Sequence, residues 1–322
     1  MARVRAARCL KRYSRTPAIA SAVTPRRTCC STTSVSAAVL EVGLGGRLDA
    51  VNIFDADCAI VVSVDLDHQA YLGGTREAIG FEKAGIYRRG RPAVCADADP
   101  PQSLQEHAKA IGADLLLVDR DFGVVAEPRQ WRYWGPRAKR NGLPWPALRG
   151  ACQLVNAAAC ITALDALRER LPLSAADVRG GLLSATIPGR FQVLPGRPLV
   201  VLDVAHNPHA ARVLAANLAE LPKSSGEVIA VCAMLKDKDI AGVMTALKGA
   251  FTRWHLAAAE GPRAAGAEEL RASLGNIGAP TLLFPGVAEA WREACKNARD
   301  DDKIIVFGSF LTVAAVMREI NA

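Results

Sequence analysis

From residue 37 onward the chain alternates short, unbroken apolar runs with longer stretches of helical spacing. AAVLEVG (37–43) and CAIVVSV (58–64) are rich in valine and isoleucine and predict buried strands. TREAIGFEKAGIY has helical spacing, RPAVCA predicts a strand, SLQEHAKAIG a helix and DLLLVD a further strand. FGVVAEPRQWRYWG alternates with period two and predicts a β-ribbon that runs into a Pro- and Gly-rich loop at 135–150. Two helices are expected at about 151–170 and 174–185, the second opened by Ser174 as N-cap with Asp177 three residues on. PGRFQVLPGRP (188–198), bounded by prolines and glycines, predicts a linker.

Beyond it the alternation restarts. LVVLDVA, EVIAVCAM, WHLAAA, TLLF and IIVFGS predict five strands, with helices near 208–220, 238–249, 266–274, 286–298 and the C-terminal end. Strands alternating with helices argue for a parallel, doubly wound sheet. The expected fold class is therefore α/β, with two domains, 37–194 and 195–322.

At 322 residues there is room for two cores. No apolar run approaches the roughly 20 residues of a membrane span, so no membrane is expected. The nine cysteines include no Cys-x-x-Cys pair. Buried thiols in a reducing cytoplasm account for them better than disulfides or zinc. The net charge of +8 raises the question of nucleic acid. Arg3, Arg5, Arg8, Lys11, Arg12, Arg15, Arg26 and Arg27 all lie in residues 1–36, which hold no acid. Setting these eight aside leaves 32 basic residues against 32 acids, so the body is neutral and no nucleic-acid partner is expected of it. The basic arm, 1–36, reads as disordered and unrelated to the rest. Its composition fits a transit peptide, a misread start or a nucleic-acid-binding tail, and these stay open.

In open α/β sheets, ligands gather beyond the carboxyl ends of the strands. Three clusters fall at such ends in the first half: Glu41 with Gly43, Gly45 and Gly46; Asp65, Asp67 and His68; and Lys83 on the helix that follows. Glu41 and His68 suit a hard divalent ion, with Asp65 or Asp67 assisting. His68 taken alone also reads as a turn or cap histidine, and the glycines as a sharp turn. No GxGxxG spacing and no GxxxxGK[ST] loop occurs in the 322 residues. The second half opens with LVVLDVAHNPHAARVL, where Asp203 ends a strand and His206, Asn207 and His209 precede a helix whose N-terminus favours anions. Asp203 could hold a ribose or cap that helix. Asn156 and Arg190 are polar groups set in apolar or tightly turning surroundings.

LEVGLGGRLDAVN, SVDLDH…LG, EKAGIYRRGRPAV, NAAA, PGRFQ, LDVAHNP, MLKDKD, EGPR and FGSF follow one another in this order. In that order the chain resembles the folylpolyglutamate synthases, most closely the bacterial bifunctional dihydrofolate synthase/folylpolyglutamate synthases, relatives of the Mur ligases. The resemblance runs from residue 37 to about 320. It implies an incomplete Mur-ligase-like central ATPase domain followed by a Rossmann-like C-terminal, glutamate-ligating domain. It implies a cytoplasmic, monomeric enzyme that uses ATP and Mg2+ to join L-glutamate to dihydropteroate or a folate through an acyl phosphate. Glu41 and His68 match metal ligands, and Lys83 matches a lysine carbamylated by carbon dioxide. Asn156, Arg190, Asp203 and His206 match nucleotide contacts, Asp203 at the ribose and Arg190 and His206 near the phosphates. The family's GTNGKGS-type phosphate loop and the strand before it are not found in residues 1–36. Leu311 stands where relatives often carry a polar or aromatic residue such as histidine. The expectations are a ligase, a non-catalytic relative that binds folate or adenosine weakly, or a Mur-type ligase of a peptidoglycan precursor.

Overall fold

The computed structural model describes residues 37–150 and 152–321. The chain divides into two units, one holding the described residues as far as Ala147 and the segment Ala151–Thr186, the other Leu148–Gly150 and Ile187–Ala322.

The first unit contains a parallel sheet of β1 (Ala59–Val61), β2 (Pro92–Cys95) and β3 (Asp114–Leu117), in that spatial order. Helices α1 (Gln69–Leu72), α2 (Arg76–Ala84) and α3 (Gln102–Ile111) fill the connections. Val61, Ile79, Ala93, Cys95 and Leu104 are buried in one core. An antiparallel ribbon of β4 (Gly123–Ala126), β5 (Trp131–Trp134) and β6 (Lys139–Leu143) follows. Helix α4 (Cys152–Ala166) is buried at every position from Asn156 to Asp165, as suits a helix apolar nearly all round. Helix α5 (Ala175–Ser184) opens with the expected box: Ser174 Oγ accepts from Asp177 N at 3.2 Å, and Asp177 Oδ2 accepts from Ser174 N at 2.9 Å.

The second unit is a six-stranded sheet of β7 (Gln192–Leu194), β8 (Leu199–Leu202), β9 (Val228–Cys232), β10 (Arg253–Ala257), β11 (Thr281–Phe284) and β12 (Lys303–Phe307). Their spatial order is β11-β10-β9-β12-β8-β7. Its helices are α6 (Pro208–Ala219), α7 (Ile240–Leu247), α8 (Ala267–Leu274), α9 (Val287–Asn297) and α10 (Phe310–Ile320). Ala230, Cys232, Ile305 and Phe307 join the core under α6, α7 and α8, while Ile229, Val231, Ile304 and Val306 join the core under α9 and α10. Both faces are covered, so these strands are continuously apolar.

Three expectations are corrected. Residues 37–43 form no strand, and only Val42 among Leu40, Glu41 and Val42 is buried. An apolar run becomes a strand only where a neighbour takes its backbone hydrogen bonds, and among the described residues β1 pairs with β2 alone. The loop at 135–150 contains β6, which pairs with β5 across an irregular register. Segment 188–198 is no linker: β7 pairs antiparallel with β8, Val193 opposite Val201.

Phe307 is fully buried, its ring 5.4 Å from that of Phe251 and 6.1 Å from that of Trp254. The fragment Ile187–Ala322 should unfold in one cooperative step in urea, followed by tryptophan fluorescence. Phe307→Ala should cost it about 3–5 kcal/mol. A broad melt, or a cost below about 1 kcal/mol, would contradict this account of its core.

Candidate active site

The LEVGLGGRLDAVN segment is a turn clamped onto the C-terminal end of α2. Arg47 N donates to Glu82 O at 2.8 Å, and the Arg47 guanidinium meets Glu82 Oε1 at 2.8 Å. Asn52 Nδ2 donates to Gly85 O at 3.0 Å. A Cβ on Gly46 would lie 2.8 Å from Glu82 O and 3.0 Å from Lys83 O, so only glycine allows this approach. Gly45 takes φ +63°, the left-handed region.

Three amides of the segment are already bound by one carboxylate. Asp49 Oδ2 accepts from Gly43 N at 2.8 Å and Leu44 N at 3.0 Å, and Oδ1 from Val51 N at 3.0 Å. Burial alone would raise the Asp49 pKa, but the N–H groups of Leu44, Val51 and Gly43 hold it below the ordinary carboxylate value. The carboxylate fills the place that a phosphate would take in a phosphate-binding turn. Sequence reading did not single out Asp49; its one signal was an acid shortly after a run of glycines.

Lys83 lies in the last turn of α2 and is half-buried. Burial pushes its ammonium below the ordinary 10.5, against the opposing attraction of Asp67. His68 is the residue before α1, in the left-handed region at φ 52°, and its side chain makes no cap bond. Its Nε2 is 3.8 Å from Asp67 Oδ1. The structure thus brings His68, Asp67 and Lys83 into one neighbourhood, while Glu41 sits exposed in the turn. Among the described residues no three His, Cys, Asp or Glu side chains gather as a metal site. Oxygen and imidazole donors suit a hard divalent ion, and a carbamate on Lys83 would add further anionic oxygens beside the Asp67 carboxylate. An amine that sheds its proton readily is the form that attacks carbon dioxide, so the residues present fit such a group.

Asn156 also belongs to the first unit. It is buried on α4, its Nδ2 donating to Gln153 Oε1 at 3.1 Å. The other three expected nucleotide contacts lie in the second unit. Asp203 does not cap α6; Asn207 does, accepting from Ala210 N at 2.8 Å. Instead Asp203 bridges the end of β8 to the PGRFQ turn, accepting from Phe191 N at 2.7 Å and Ala205 N at 2.8 Å. The Arg190 guanidinium stands 5.0 Å over the Phe310 ring, at the start of α10. His206 is buried, and its Nδ1 lies 2.8 Å from Val204 O. A carbonyl only accepts, so that nitrogen carries the proton. Asp203, Arg190 and His206 therefore share the carboxyl end of β8 and the starts of α6 and α10.

Residues 189–310 match the model of the Mur ligase, glutamate ligase domain. The dihydrofolate synthase/folylpolyglutamate synthase of Escherichia coli K12 is 44% identical over 285 residues, covering 88% of this chain and 65% of that protein. The chain is strongly homologous to the bacterial bifunctional dihydrofolate synthase/folylpolyglutamate synthases. E. coli FolC solved with DHPP and ADP superposes with a TM-score of 0.82 at 42% identity, over 87% of this chain and 65% of that one. A bifunctional folylpolyglutamate synthase/dihydrofolate synthase solved with Mn, AMPPNP and L-glutamate gives 0.79 at 44% identity, over 87% and 66%. The chain thus spans slightly less than two thirds of the length of these synthases. Over the matched residues the fold is the α/β, Mur-ligase-like one of these neighbours.

Two outcomes follow from the first-unit geometry. Gly46→Ala should destabilise the chain by about 1–3 kcal/mol, since backbone carbonyls must give way; an unchanged urea midpoint would contradict the close approach. For Lys83 the folded pKa is lowered, so from that pKa up to 10.5 the unfolded chain binds more protons and stability rises with pH. Lys83→Met lacks this rise. Its stability advantage over the parent near neutral pH should shrink as pH approaches 10.5, measured by urea unfolding in a pH series. A gap independent of pH would refute the buried-cation account.

Proposed function

We propose that this chain is an ATP- and magnesium-dependent ligase that adds L-glutamate to dihydropteroate or a folate. The observation that carries the reading is the neighbourhood of Lys83, His68 and Asp67, in a chain 44% identical to a dihydrofolate synthase/folylpolyglutamate synthase. In the proposed reaction a substrate carboxylate oxygen attacks the γ-phosphorus of ATP and ADP leaves. The glutamate amine then forms the C–N bond, phosphate departs with the C–O electron pair, and the amine loses a proton. Acyl phosphate formation turns a poor leaving group into a good one. A divalent ion, when bound, would offset the charge of the meeting oxyanions.

In this reading Glu41, His68 and the carbamate of Lys83 hold the ion. Carbamylation forms an N–C bond from the neutral amine to carbon dioxide and releases one proton. Asn156, Asp203, Arg190 and His206 take the nucleotide, Asp203 at the ribose. Domains 37–194 and 195–322 supply ATP/metal and glutamate-ligating parts respectively. We assign the protein to the cytoplasm, as a monomer without nucleic-acid or membrane partners. Cys95 and Cys232, buried free thiols, support a reducing compartment.

One observation favours a second reading, a weakly binding, non-catalytic relative. The glycine turn's amides are held by Asp49, and the 322 residues contain no GxxxxGK[ST] loop. Charge-assisted hydrogen bonds are worth roughly 1.5–3 kcal/mol each, so three fewer to a triphosphate would weaken binding by about 3–6 decades. The deciding measurement is phosphate release from ATP with dihydropteroate and glutamate. The first reading expects turnover by the chain; the second expects none above background until a family phosphate-loop segment is joined ahead of residue 37. Turnover by the unaltered chain would remove the second reading; silence of both would remove the first.

A further inference from the structure

The SVDLDH stretch leaves β1 with its ladder finished. The last backbone bond across to β2 is Ala96 N to Val61 O, at 2.9 Å. Beyond that point two side chains make the join. Asp97 Oδ2 accepts from Val64 N at 2.6 Å, and Arg76 Nε donates to Val64 O at 3.1 Å. Both backbone polar groups of Val64 are thus held from other elements, immediately before Asp65 and four residues before His68.

The rest of the Arg76 guanidinium closes the same circuit. Its Nη1 donates to Asp99 Oδ2 at 2.6 Å and its Nη2 to Asp97 Oδ1 at 3.3 Å. Asp97 Oδ1 also accepts from Asp99 N at 3.0 Å. Arg76 sits on the first turn of α2, the helix whose last turn carries Lys83. One planar fork therefore connects the loop bearing His68 to the helix bearing Lys83. A left-handed histidine is uncommon and persists only where its surroundings fix it.

We propose that Arg76 and Asp97 are positioning residues: together they hold Val64, and through it they fix the left-handed His68 beside Asp67, on the loop tied to the helix that carries Lys83. The role they serve rests on the metal-site reading above, while the conformational claim stands without it. Glu77, on the same turn of α2, supplies the control. It binds the N-terminus of α3, accepting from Gln102 N at 3.1 Å and Ser103 N at 2.7 Å, and touches neither Val64 nor Asp97.

The test uses the full 322-residue chain, isotope-labelled, with Arg76→Lys, Asp97→Asn and Glu77→Gln. Lysine keeps the charge of arginine and loses its planar fork. One readout is the strong intraresidue amide-to-α NOE that a positive φ gives at His68. The other is the Mn2+ concentration that half-broadens the His68 ring signals. Arg76→Lys and Asp97→Asn should weaken that NOE and raise the Mn2+ midpoint at least about tenfold, the lower end of effects from groups that orient metal ligands. Glu77→Gln should change neither. An unaltered NOE in both positioning variants overturns the proposal, as does an equal loss in Glu77→Gln, which would mean general loosening. If Mn2+ leaves His68 of the unaltered chain unbroadened, the metal-site reading fails by itself, and the NOE still decides the conformational claim.

Discussion

The first unit depends on one carboxylate. Asp49 turns back on the GLGG segment and takes two of its amides and that of Val51, which fixes a turn that glycine alone would leave floppy. Once the turn has that shape, Gly46 can lie against the last carbonyls of α2, and Arg47 and Asn52 can bind there too. These contacts pack the turn against the helix end that carries the half-buried Lys83. Burial is what lowers the lysine pKa. The same carboxylate explains why a glycine-rich stretch need not bind phosphate. An internal anion satisfies the donors that an external one would want.

Much of this was legible in the sequence, for a physical reason. Strands covered on both faces are apolar nearly throughout, so β8, β9 and, after Lys303, β12 announce themselves as unbroken runs. The box at Ser174 and Asp177 is a local device, readable from spacing alone. What could not be read was pairing. Residues 37–43 have the composition of a strand and form none, while β6 and β7 were hidden among prolines and glycines. Periodicity describes one chain segment; a ladder belongs to two. The site divides in the same way. His68, Lys83, Asp203 and Arg190 could be named from motifs, whereas Asp49, Arg76 and Asp97 act through partners between two and some thirty residues away, at distances no motif encodes.

The two units solve the problem of holding polar groups by the same means. In the first, Asp97 grips a backbone amide beyond the end of β1; in the second, Asp203 grips Phe191 N beyond the end of β8. Each carboxylate stands where a parallel strand stops and its ladder can no longer satisfy the backbone. The groups so fixed, His68 in one unit and Arg190 in the other, each adjoin a residue of left-handed conformation or adopt it themselves. Binding groups beyond strand ends need such anchors, because the sheet that orients everything else has run out.

His206 adds a constraint on charge. Its Nδ1 proton is committed to the Val204 carbonyl, so the ring reaches any ligand through Nε2. A phosphate oxygen accepts and does not donate, hence a bond from Nε2 to phosphate requires the second proton as well, and the ring must then be cationic. A neutral ring would offer Nε2 only as an acceptor, suited to an ammonium or hydroxyl. The Arg190 guanidinium, placed over Phe310 at the start of α10, is cationic under all ordinary conditions. It can bind an anion whatever the protonation state of His206. In the proposed nucleotide site, Arg190 would be the constant anion contact, and His206 the one whose contact depends on a second proton.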